Sequence, residues 1–251
     1  MLKPSLRLSS TLFVLVVLAG CQTWPEPMPV ERAGFLERAK TRTEGEFTVT
    51  VAVPSRDETR EIFGTNLYRS GVQPIWVEVE NRSGKPYSLI KSGMDRDYFS
   101  ALEVAWKRKG LLAGDRNLDM SAHFYGLEFP NPVKPGETAS GFVFTNLDEG
   151  FKAVLVDLLS DRDVISLSFV MEVPGLVTDI SKTDWEALDG AEQPIESEEE
   201  LRRILADLPC CTTKREGDRN GDPLNIVLIR EIDHVFSALI RSGGHATEVT
   251  Y

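Results

Sequence analysis

Apolar and polar residues alternate through much of the first 175 positions. In "FTVTVAV", Phe47, Val49, Val51 and Val53 share one face, and in "PIWVEVEN" Ile75, Val77 and Val79 oppose Trp76, Glu78 and Glu80. A period of two marks half-buried β-strands. The runs "YFSALEVAWK" (Tyr98 to Lys107), "VKPGETASGFVFTN" (to Asn146), "FKAVLVDLL" and "VISLSFVMEVPG" continue the texture. Turn chemistry separates them: Asn81-Arg82-Ser83-Gly84, Pro135-Gly136 and Pro174-Gly175. A short amphipathic helix is expected from Arg32 to Lys40.

The pattern changes after Gly175. An acidic linker, 176–196, contains "DWEALDGAEQPIESEEE" and leads to Ser197-Glu198-Glu199-Glu200, which fits a capping box. Leu201, Ile204, Leu205 and Leu208 then repeat at helical spacing, which predicts a helix from about Glu198 to Asp207. A polar loop follows. Asn225 to Ile229 reads as a buried strand, and Ile232, Val235, Phe236, Leu239 and Ile240 line one face of a second helix. Gly243-Gly244 should stop that helix, and "ATEVTY" would form a last strand.

These elements predict a mainly β chain: an antiparallel β-sandwich over 44–175 followed by a small α/β C-terminal unit over 197–251. The Val-Glu-Val-Glu-Asn-x-Ser-Gly and Pro-Gly-Glu patterns resemble those of bacterial immunoglobulin-like sandwiches. Gly221-Asp222-Pro223-Leu224-Asn225, the apolar run to Ile229 and the helix to Ser242 resemble the start of the LssY C-terminal domain. That resemblance implies a truncated copy of the domain and carries no residue-by-residue chemistry.

The N-terminus concerns location. Lys3 and Arg7 precede an apolar run from Leu12 to Leu18, too short to cross a bilayer, so residues 1–20 read as a signal peptide. Leu18-Ala19-Gly20-Cys21 resembles the lipobox of bacterial lipoproteins. The resemblance implies cleavage before Cys21, acylation of its thiol, and, with Gln22 following, an outer-membrane location facing the periplasm. Each buried methylene contributes about 0.8 kcal/mol to membrane binding, so several acyl chains anchor a protein stably. Residues 21–43 then hold the lipidated end and a tether, with three prolines in "QTWPEPMPVE".

Composition narrows the partners. With 39 acidic and 28 basic residues the chain carries a formal charge of −11. Phosphate backbones and anionic surfaces would be repelled, so no nucleic-acid partner is expected and membrane contact is assigned to the lipid. Hydrophobic residues make up 41% of the chain, enough for a folded body.

Candidate chemistry is sparse. With Cys21 acylated, Cys210 and Cys211 remain, and neighbouring Cα atoms lie about 3.8 Å apart, below the separation a relaxed disulfide prefers. Two buried thiols, a strained vicinal disulfide, a disulfide to another molecule and a metal site stay open. His123, His234 and His245 form no zinc pattern, and no cysteine–histidine nucleophile is fixed. Glu216-x-Asp218-x-Asn220-Gly221 imitates half of an EF-hand loop, but position twelve is Val227, and the Asp218 register places Ile229 there. The Asp95–Asp97 and Asp161–Asp163 triplets read as solvated loop charges. No catalytic fingerprint appears.

The sequence therefore predicts a lipid-anchored envelope protein acting as a non-catalytic interaction or scaffold module, with an envelope protein as partner and no cofactor. The alternatives are a hydrolase, or an accessory part of one, acting on envelope lipid or phosphate compounds through the α/β unit, and a small-ligand or calcium-binding module.

Overall fold

The alternating runs pair into two antiparallel sheets. The structure is a computed structural model that describes residues 27–95, 97–108, 114–148, 150–175, 195–213, 219–229 and 232–242. β1 (Lys40–Glu44), β2 (Phe47–Ala52), β3 (Val72–Asn81) and β5 (Thr138–Asn146) form one sheet in the order β1-β2-β3-β5. β4 (Ser88–Leu89), β6 (Phe151–Ser160) and β7 (Asp163–Glu172) form the second, in the order β4-β6-β7. Register brings like side chains together: Val49 faces Val79, Val51 faces Val77, and Val156 faces Leu167. The apolar sides of both sheets meet in one core that includes Phe47, Val77, Val156 and Phe169.

A second core covers the opposite side of the first sheet. Ala52, Val72, Phe142 and Phe144 project there and pack with residues of three helices: α1 (Arg56–Phe63), α3 (Ala101–Trp106) and α4 (Gly114–Leu127). α1 starts at a full capping box, in which the Ser55 side chain accepts from Glu58 N and the Glu58 carboxylate accepts from Ser55 N. The short α2 (Lys91–Met94) sits beside β6. Gly141 lets a chain segment cross β5: a Cβ there would stand 2.6 Å from the Phe129 Cα, where the Phe129 amide bonds Phe142 O.

Several expected elements differ. "YFSALEVAWK" is not a strand: Ser100 caps α3 by accepting from Glu103 N, and Ala101, Val104 and Ala105 are buried at helical spacing. In so short a run both periods fit, and the cap decides. α4 occupies the polar, glycine-containing stretch that precedes "VKPGETASGFVFTN", to which the sequence assigned no element. The helix expected over 32–40 is instead two 3₁₀ turns, Val30–Arg32 and Gly34–Arg38, followed by β1. Val30, Ala33 and Phe35 are buried, so the packed body begins well before residue 44. The signal peptide, Cys21 and tether residues 22–26 lie outside the described residues, as does linker 176–194.

The C-terminal stretch opens with α5 (Glu198–Asp207), whose bounds match the sequence expectation and whose Ser197 side chain accepts from Glu200 N. A hairpin follows, β8 (Cys211–Thr213) with β9 (Asn220–Pro223). Residues 225–229 are not a buried strand. No described strand pairs with them, and they are exposed. Pro223 brings no N–H to extend the ladder. α6 (Ile232–Arg241) lies against β6 and β7. On the outer face of that sheet Ala153, Ser168 and Val170 are buried. The layers therefore run helices, first sheet, second sheet, α6. Gly243-Gly244 and "ATEVTY" lie outside the described residues.

Candidate functional site at the cysteine hairpin and C-terminal groove

Cys210 and Cys211 stand where α5 hands the chain to β8. Their sulfurs are joined to each other, across Cα atoms 3.8 Å apart. Cys210 is exposed and Cys211 half-buried, so the pair is not the set of buried thiols that the sequence allowed. The hairpin fixes the pair: Leu224 N donates to Cys210 O at 2.9 Å, and Asn220 Nδ2 points at Cys210 Sγ at 3.6 Å. Thr212 Oγ1 donates to Asp222 O at 3.3 Å, and a Cβ at Gly221 would collide with that hydroxyl. Glu216 and Asp218 of the calcium-like loop lie outside the described residues.

Beyond Pro223 the chain exposes an apolar run. Leu224, Ile226, Val227, Leu228 and Ile229 are each between 51% and 76% exposed. Leu228 and Ile229 form one wall of an open groove of about 440 Å³, and His234, Val235 and Leu239 of α6 form the other. The lining is mostly aliphatic, so the groove suits apolar side chains or hydrocarbon. Nearby, Ser237 is buried and its hydroxyl has no partner among the described residues. Among those residues no three His, Cys, Asp or Glu side chains gather at metal-holding distance.

A second cluster, which the sequence reading missed, lies at one end of the sandwich. Lys152 is 1% exposed. Its ammonium donates to Asp95 Oδ2 at 2.8 Å, Asp148 Oδ2 at 2.6 Å and Asn146 O at 2.9 Å. An ammonium has three donors, and all three are used. Asp95 also accepts from Asn146 N, and Asp97 Oδ2 accepts from Asn146 Nδ2. Asp95 is thus not a solvated loop charge, since it helps close the cage of a buried cation, whereas Asp97 stays exposed as expected. The cluster leaves no ammonium donor for a substrate, and its chemistry is structural. Strand phase was the available signal: Lys152 falls in step with the inward-facing Val154, Val156 and Leu158.

The second triplet is exposed, as expected, but Asp163 has a partner. Tyr87 Oη donates a short hydrogen bond to Asp163, which, together with burial, pushes the phenol up to about 12. Burial lowers the His123 pKa, partly offset by the hydrogen bond its Nε2 makes to Ile62 O at 2.8 Å. Burial opposes ionisation of Glu58, yet the Arg38 guanidinium and the Ser55 amide outweigh it and hold the carboxyl below its ordinary range. None of these groups lines the groove, where, among the described residues, His234 supplies the ionisable side chain. Comparison with protein-family models, with curated proteins and with solved structures found no match.

Proposed function

We propose that the chain is a cell-envelope lipoprotein, acylated at Cys21 and held on the outer membrane facing the periplasm, that acts as a non-catalytic interaction module. In this reading the sandwich is immunoglobulin-like, and 197–251 is a small α/β unit of the kind that opens the LssY C-terminal domain. The unit presents its surface to another envelope protein. The observation that carries the interaction role is the exposed run Leu224–Ile229 beside the α6 groove. Contiguous apolar surface of this kind is uncommon on a protein that works alone, and it marks docking sites. The vicinal pair at Cys210 and Cys211 stiffens the hairpin that launches the run.

Two measurements test the halves of this reading separately. Cys21→Ser should move the protein from the membrane fraction to the soluble periplasmic fraction; unchanged partition refutes the anchor. A photo-crosslinking residue at position 226 should yield one discrete adduct in intact cells, and the same residue at the exposed position 44 should not. Equal or absent adducts at both positions refute the interaction surface.

A further inference from the structure

The layer of helices on the first sheet carries a second exposed apolar surface, on the opposite side of the molecule from α6. α3 and α4 adjoin each other. α3 buries Ala101, Val104 and Ala105 and leaves Leu102 at 54% and Trp106 at 71% exposed. α4 buries Met120 and Phe124 and leaves Leu118 at 67% and Tyr125 at 65% exposed. Tyr98, just before α3, is exposed as well. Leu118 and Tyr125 are two helical turns apart and so share a face; Leu102 and Trp106 are one turn apart and do the same. Tryptophan and tyrosine beside leucine match the headgroup boundary of a bilayer, where an apolar ring body is buried and its polar tip stays wet.

The path of the chain identifies the occupant. Met28 N donates to Glu61 O of α1, and Val30, Ala33 and Phe35 share their core with Val104, Ala105, Met120 and Phe124. The described body therefore begins within the helical layer. Twenty-six residues precede it, and the six-residue step from Cys21 to Pro27 spans at most about 20 Å even fully extended.

We propose that the outer face of α3 and α4 rests in the headgroup region of the bilayer to which Cys21 is anchored. The inference rests on the lipoprotein reading for the nearness of the membrane, and goes beyond it by giving the body an orientation. It also replaces the expectation that lipid alone touches the membrane, because the contact is apolar and aromatic and needs no net positive charge. Trp106 and Tyr125 enter the interface, and the groove of α6, two sheets away, faces the periplasmic space.

The test uses the full chain, produced in a bacterium that acylates lipoproteins and reconstituted in neutral phosphatidylcholine vesicles with brominated acyl chains, in a Trp24→Phe background that silences the tether. Brominated lipid should quench tryptophan emission of this protein about twofold more than that of its Trp106→Phe derivative, since an indole at the interface lies within reach of the upper acyl chain. Equal quenching of the two chains overturns the proposal. Flotation of the same proteins, with and without Cys21→Ser, separates the two readings. If only the acylated chain floats, the anchor holds and quenching alone judges the patch. If the Cys21→Ser chain floats equally and Trp106 is still quenched, the anchor reading falls and the patch is supported. If no chain floats, both fall. Trp106 is a surface residue, and an unchanged circular dichroism spectrum confirms that Trp106→Phe is folded.

Discussion

Lys152 and Ile226 invert the usual expectation. A cation is 1% exposed inside the sandwich, whereas an aliphatic side chain is 76% exposed at the C-terminal groove. The difference lies in partners, not in residue type. Lys152 is in phase with an apolar strand face and meets two carboxylates and a carbonyl at hydrogen-bond distance, so its desolvation is offset. Ile226 follows a proline-ended strand and meets no described neighbour that would pair with it. Burial follows from what the fold brings alongside a residue, and hydropathy alone does not determine it.

The largest expected effect breaks the buried side of this contrast. Lys152→Met should destabilise the protein by about 3–5 kcal/mol, because Asp95 and Asp148 lose the cation that compensates them. Chemical denaturation measures it, and the triple variant with Asp95→Asn and Asp148→Asn should recover most of the loss. A single-variant cost below about 1 kcal/mol would show that water satisfies the carboxylates. Asp95→Asn alone should cost about 1–3 kcal/mol, since Asp148 still faces the ammonium.

The third expectation concerns pH. His123 has a folded pKa below its unfolded value because it is buried. Its neutral form is therefore favoured by folding. Stability from this group is full above the unfolded value, near 6.5, and falls as pH drops below it, because the unfolded chain takes up the proton first. Melting temperatures at pH 7.5 and just below pH 6 should differ less in His123→Gln than in the wild type, both buffers keeping the carboxylates ionised. Identical differences would mean that the imidazole is solvated in the folded state.

The smallest effect lies on the exposed side. Leu228→Asp should change stability by no more than about 0.5 kcal/mol, as surface substitutions do, while abolishing the adduct formed from the photo-crosslinking residue at position 226. A cost of several kcal/mol would show that the run is covered by the protein's own chain.

Much of the sandwich could be read from the sequence because β2, β3 and β6 alternate over most of their length, while β5 and β7, covered on both faces, carry longer buried apolar runs that still read as strands. α5 carried its own start signal at Ser197. α1 also carried one, Ser55-x-x-Glu58, but "RDETREIF" buries only Thr59, Ile62 and Phe63, too few apolar positions to show a period. α3 was masked by a run short enough for both periods. The Lys152 cage could not be read in full, because Asp95 and Asp148 reach it from separate loops. The run 225–229 misled in the opposite sense: apolar composition specifies a wish for cover, and nothing local says whether the cover comes from the same molecule.

The sheet margins bear on behaviour at high concentration. Lys40 on β1 donates to Val170 O of β7 at 2.8 Å, tying one edge of the first sheet to the second sheet. Along the other edge, Phe99 and Glu128 bridge to Phe144 and Phe142 of β5. The β5 edge thus has its backbone groups partly engaged, and the β1 edge is held against the second sheet by a side chain, which together discourage strand-to-strand growth between molecules. Turbidity in a crowded preparation should therefore respond to a charge placed at Ile226 or Leu228 and stay indifferent to one placed at Thr41 or Thr43.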